Sequence, residues 1–164
     1  MHEDKLPEIA RVFCEVLEKQ VFLFPEPLAG EELIPGPDGF LVGTMTFKGP
    51  ARGGLMLALP EAMALEMAAN FLGLEPEDPF VAESSRDSLG EILNVTCGHM
   101  LTALYGETEV FDLSIPRSFS LTGLEVAILS RKPGSMAFSV DDHRVLLQVS
   151  FCNKCPGEGA HAPK

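Results

Sequence analysis

The sequence is short of basic charge. Twelve Lys and Arg stand against 24 Asp and Glu in 164 residues, a formal charge of −12. A partner held by its phosphate backbone needs a basic surface, so the balance argues against nucleic acid. The acidity reads instead as a device for solubility. Long apolar runs are missing too: none approaches the ~18 residues a membrane span needs. The N-terminal stretch MHEDKLPE is acidic and polar, unlike a secretory signal. A soluble cytoplasmic protein without a membrane partner is therefore expected. Cysteine is sparse, at positions 14, 97, 152 and 155. With no export signal, reduced thiols are expected. Cys14 and Cys97 fall in apolar helical patterns and read as core residues. Short internal repeats and low-complexity tracts are also lacking.

Hydrophobic residues make up 46% of the chain, enough for a core, and the length suits one domain. That domain is expected over residues 1–155, with 156–164 as a disordered tail. Ile9, Val12, Phe13, Val16 and Leu17 recur at helical spacing and predict a helix over Leu6 to Gln20. The stretch FPEPLAGEELIPGPDG reads as a connecting loop. FLVGTMTF (40–47) and GLMLALP (54–60) read as a strand hairpin. Pro60 then opens a helix that stops at Gly73. A long helix is predicted over Val81 to Tyr105. After an irregular stretch, LEVAILSR, SMAFSVD and HRVLLQVSF read as three strands of an antiparallel meander. The order predicts an α+β fold of two layers, an antiparallel sheet with long helices packed on one face.

The long helix holds an anomaly. GEILNVTCGHM (90–100) carries two glycines, an asparagine and a threonine, all poor interior helix residues. At roughly 100° per residue, Leu89, Leu93, Met100 and Leu104 form a core stripe. Asp87, Glu91, Asn94 and Gly98, spaced four, three and four residues apart, share the opposite face, and Tyr105 lies on the same line. Glu91 and Asn94 are neighbours one turn apart. Gly98 leaves room for another surface to approach the backbone closely. Exposed helix faces carry polar residues without any function. A face chosen for solubility alone, however, favours Glu, Lys, Gln or Ala. Gly90 has a structural reading as well, close packing against a neighbour, and Thr96 falls within the buried stripe.

DSLGEILNVTCG resembles the signature of the CheC/CheX/FliY chemotaxis phosphatases. That signature is an acid or Ser, three residues, Glu, two residues, Asn, three residues, Gly. Asp87, Glu91, Asn94 and Gly98 match it. GGLMLALPEAMALEMAANFLG and FDLSIPRSFSLTG resemble the segments on either side. About four-fifths of the chain follows the family order. One Glu-x-x-Asn site, where CheC-type members carry two, makes the chain resemble the CheX type. The long loop before the first strand and the Cys-containing tail are departures from the pattern.

The resemblance implies a phosphatase acting on the aspartyl phosphate of a CheY-like response regulator. An acyl phosphate is already reactive, so the main task is to hold water in line with phosphorus. An amide does this by hydrogen bonding, the role implied for Asn94. Glu91 beside a phosphoryl group is a poor general base, and its implied role is to pair with the regulator's lysine. Asp87 and Gly98 are implied in partner binding. The resemblance implies no metal site here, with Mg²⁺ on the partner receiver, and a homodimer joined through sheet edges, which the final meander would offer. Two rival readings stand beside it. One is a non-catalytic module of the same fold that binds a receiver or a flagellar-switch component. The other is a metal-binding protein built on Cys152-x-x-Cys155 with His161.

Overall fold

The first helix forms because its apolar residues return to one face every three or four positions. In the computed structural model, which describes residues 2–28 and 39–152, α1 spans Leu6–Val21 and buries Ile9, Val12, Phe13, Val16, Leu17 and Val21. Pro7 sits in its first turn, where a missing N–H costs nothing. Phe22 closes it in the left-handed region at φ 56°, donating its N–H to Glu18. The predicted hairpin is β2 (Phe40–Lys48) and β3 (Arg52–Pro60), paired along its whole length. Helix α2 (Glu61–Leu72) follows directly, with Pro60 as its N-cap and Gly73 at φ 70° as the expected C-cap. The long helix α3 covers Pro79–Tyr105, capped by the Asp78 side chain, which accepts from the Phe80 N–H.

Three stretches differ from expectation. The loop read after α1 contains a short strand, β1 (Glu26–Leu28), paired with β6. Its one proline, Pro27, fixes an extended backbone and is tolerated because this is an edge strand. The irregular stretch after α3 yields β4 (Asp112–Leu113) and β5 (Arg117–Leu121), both paired with β2. LEVAILSR is a helix rather than a strand: α4 runs from Gly123 to Leu129. Thr122 Oγ accepts from the Glu125 N–H while Glu125 accepts from the Thr122 N–H, a capping box that satisfies two otherwise orphaned donors. The last hairpin, β6 (Ser135–Val140) and β7 (His143–Phe151), turns at Asp141 and Asp142, both at positive φ.

The sheet order is β1-β6-β7-β3-β2, with β4 and β5 sharing the outer side of β2, and every pairing is antiparallel. The expected meander strands β6 and β7 are therefore interior: β7 lies between β3 and β6, and β1 covers part of β6. Among the described residues, the open edges are β1 with the rest of β6, and the β4–β5 strip. Helices α1, α2 and α3 cover one face, where Leu41, Met45, Phe47, Leu55, Leu57, Val145, Leu147 and Val149 meet them. The short α4 covers part of the other face, placing Val126 among Phe40, Val42, Met56, Ala58 and Leu146. The α+β two-layer reading thus holds, with a small second cover on the far side. Gly43 lets α3 lie close to β2, since a Cβ there would stand 3.1 Å from Leu89 Cγ.

Cys155 and His161, on which the metal reading rests, lie outside the described residues, as does the 156–164 tail. Among the described residues no cluster of three His, Cys, Asp or Glu side chains is placed to hold a metal, and no helix is long and apolar enough to cross a membrane.

Candidate functional site

Packing fixes which face of α3 turns outward. Leu89, Ile92, Leu93, Thr96, Cys97, Met100 and Leu101 are all buried. Thr96 is tolerated there because its hydroxyl donates to the Ile92 carbonyl at 2.7 Å. Burial pushes the Cys97 thiol up to about 12, which makes it an inert core residue, as expected. With that face committed, Asp87 and Glu91 are exposed and Asn94 and Gly98 are half-buried along the opposite side. Glu91 and Asn94 have no hydrogen-bond or ion-pair partner among the described residues. An amide and a carboxylate one turn apart are left open to an external ligand.

The two glycines play different parts. Among the described residues, a Cβ on Gly98 would meet nothing within 4 Å beyond the helix's own backbone, so packing does not require glycine there. A Cβ on Gly90 would touch Pro116 at 3.4 Å, an ordinary contact. Gly90 is therefore where the segment after α3 returns to lie against the helix, but at a distance that would admit a Cβ, so packing alone does not account for the glycine. Below Gly98 is a depression of about 160 Å³ lined by Leu101, Thr102, Gly106, Glu109, Phe111 and Leu113. Tyr105, on the same line in sequence, is taken up in packing: its ring lies 5.4 Å from that of Phe111, and burial raises its hydroxyl pKa.

Reading the sequence did not find what flanks this face. Arg86 reaches from α3 to the Ser118 and Ser120 hydroxyls, each at 3.4 Å, and ties the helix to β5. The segment that carries β4 and β5 thus runs along α3 from Gly90, where Pro116 lies, to Gly98, where Phe111 and Leu113 line the depression, flanking the stretch that holds Glu91 and Asn94. Only Pro116, a rigid residue within an otherwise strand-like run, hinted at a special position. His99 is exposed next to Gly98.

Comparison with known proteins bears on the family and the fold. Residues 41–139 match the family model described as chemotaxis phosphatase CheX. No curated protein matches the sequence. Solved structures share the fold. The chemotaxis protein CheX from Vibrio vulnificus superposes with a TM-score of 0.70 at 22% identity, over 93% of this chain and 99% of that one. A CheC-like superfamily protein from Shewanella gives 0.69 at 20% identity, over 93% and 100%. The Borrelia burgdorferi structure of a CheX–CheY–BeF3–Mg²⁺ complex gives 0.65 at 19% identity, over 90% and 97%. The matched span runs from β2 through the whole outward face of α3 and into β6, well over half of the sequence, and on that ground the chain belongs to the CheX family of chemotaxis phosphatases.

Proposed function

We propose that this protein hydrolyses the aspartyl phosphate of a CheY-like receiver and so ends a chemotaxis or two-component signal. The observation that carries this reading is the pair Glu91 and Asn94, one turn apart on an outward helix face and without partners among the described residues. Asn94 holds a water through its amide, in line with the phosphorus–oxygen bond to the receiver's aspartate. The water oxygen bonds to phosphorus, the bond to the aspartyl oxygen breaks, and the carboxylate leaves as a weak base. The water proton ends on phosphate or solvent, so no strong base is needed. Glu91 pairs with a lysine of the receiver and fixes the register of the two proteins. Asp87 and Gly98 complete the contact. Mg²⁺ sits on the receiver and neutralises phosphoryl charge there. The Borrelia burgdorferi relative, crystallised as a CheX–CheY–BeF3–Mg²⁺ complex, supports a receiver as the partner.

A homodimer joined through a sheet edge is part of the proposal. Of the two edges open among the described residues, the β1–β6 edge suits this better, because the β4–β5 strip flanks the helix that carries Glu91 and Asn94. Light scattering on the purified protein reads the oligomeric state directly.

The decisive experiment follows phosphate release from a phosphorylated receiver of the same genome. The protein should accelerate release, Asn94→Ala should abolish the acceleration, and Glu91→Ala should weaken it. If several receivers bind and none loses phosphate faster, the protein is a receiver-binding or flagellar-switch module and the pair is a docking surface.

A further inference from the structure

The β4–β5 strip pairs with β2 in two registers. Phe47 faces Leu113, whereas Thr44 faces Arg117. Between these pairs, Met45 and Thr46 on β2 face Ser114, Ile115 and Pro116. One extra residue makes this a β-bulge, a device that re-aims side chains and is frequent beside active sites. Side-chain chemistry fixes it in place. The Ser114 N–H donates to the Thr46 carbonyl at 2.9 Å. The Ser114 hydroxyl accepts from the Thr46 N–H at 2.8 Å, so that a side chain completes the pairing at this position.

The bulge sits at a particular place. Beside the Arg86 contacts to β5, the segment meets α3 at Phe111 and Leu113, by the depression under Gly98, and at Pro116, on Gly90. Along the helix, Gly90 and Gly98 are about 12 Å apart. Along the strip, Leu113 and Pro116 are about 10 Å apart. The two paths run side by side, with Glu91 and Asn94 on one and Ile115 on the other. Ile115 is 86% exposed and Leu113 37%. A single exposed aliphatic residue is ordinary, but here two lie two residues apart on the segment that flanks the candidate site.

We infer that Ile115, held outward by the bulge, is an apolar anchor that seats the receiver against Glu91 and Asn94. This rests on the function proposed above. The occupant is the receiver, because the apolar strip is continuous with the catalytic face through the Pro116–Gly90 contact. A strand from a second copy suits the place poorly, since a bulge and a proline both disrupt pairing along an edge. The charge points the same way. A protein of net charge −12 approaching an acidic phosphorylated site gains nothing from long-range attraction, and uncharged contact must hold the two together. Ile115 is thus a positioning residue: it places the phosphoryl group without touching it.

The test compares Ile115→Ser with Asn94→Ala in full-length protein. Two quantities are read, phosphate release from a same-genome CheY-like receiver and direct binding of that receiver in its BeF3-activated form. Ile115→Ser should raise KM and Kd about tenfold and leave kcat at saturating receiver unchanged. Asn94→Ala should do the reverse, losing kcat while binding persists. An unchanged KM and Kd in Ile115→Ser overturns the anchor, as does a fall in kcat alone. A smaller oligomer in Ile115→Ser also overturns it, because a second copy then covers the strip. Binding without turnover in the wild type sinks the phosphatase reading while the Kd comparison still decides the anchor. Failure of every receiver to bind sinks both.

Discussion

Adding one methyl group at Gly98 separates stability from function. In most glycine substitutions a loss of activity is hard to tell from a loss of fold. Here the fold has no use for the missing side chain. Among the described residues a Cβ at Gly98 meets nothing within 4 Å beyond the helix's own backbone, and the residue lies well inside α3, with regular helix on both sides. Glycine in a helix interior costs about 1 kcal/mol against alanine, because it gives up more backbone freedom on folding. Gly98→Ala should therefore stabilise the protein by up to about 1 kcal/mol, which for a chain of this size is a rise of about 2–4 °C in Tm. The same methyl stands where a partner's surface approaches the helix, so receiver dephosphorylation should fall about tenfold or more in kcat/KM. Gly90→Ala is the control, since its Cβ makes only an ordinary contact with Pro116. Thermal melts by circular dichroism and phosphate release on the same samples read both effects. Higher stability with unchanged kcat/KM would refute a role for Gly98 at the interface. A lower Tm would refute the reading of its surroundings as open space.

Two further outcomes follow from groups away from the site. Burial and a hydrogen bond with Asp141 raise the Glu66 carboxyl above its ordinary value of 4.5, against a smaller opposing pull from His143. A raised carboxyl binds its proton more tightly when folded, so its stabilising contribution is complete below about pH 4.5 and is lost as pH rises through the folded value. Glu66→Gln, which cannot ionise, should melt higher than the wild type near neutral pH, and the gap should close on acidification. Equal melting at neutral pH would contradict this. Removing the cap of α4 by Thr122→Ala should cost about 1 kcal/mol in denaturant unfolding, the usual value of an N-cap, and leave receiver binding unchanged because α4 lies on the opposite face of the sheet.

The parts of the fold that could be read from sequence are those governed by local periodicity. The apolar spacing in α1 and α3 and the alternation in β2 and β3 each state a local preference that packing then honours. The outward face of α3 was legible for the same reason: helical spacing alone places Asp87, Glu91, Asn94 and Gly98 in a row. LEVAILSR misled because a short apolar run suits a strand or a helix equally, and the decision lay in the Thr122-x-x-Glu125 cap just before it. β1 misled because Pro27, which would be out of place in an interior strand, is harmless at an edge. The segment flanking the site was hidden for a deeper reason. Ser114 finds Thr46 across 68 residues of chain, and the bulge that turns Ile115 outward exists only as a mismatch between two such distant pairings. No window of sequence contains that mismatch.

The place of β3 in the sheet bears on how the molecule must be made. Leu55 to Leu59 are buried without a break, as befits a strand enclosed on both faces and flanked on both sides. Its first neighbour, β2, immediately precedes it. Its second, β7, lies almost a hundred residues further on, where Gly53 meets Phe151. A ribosome therefore delivers β2, β3, α2 and the complete site-bearing helix well before the strand that closes their sheet. During that interval β3 presents an unpaired, strongly apolar margin to whatever else is nearby. The long-range closure sets the pace of folding. A nascent chain halted before β7 holds every residue of the candidate site, yet is the form most exposed to misassembly.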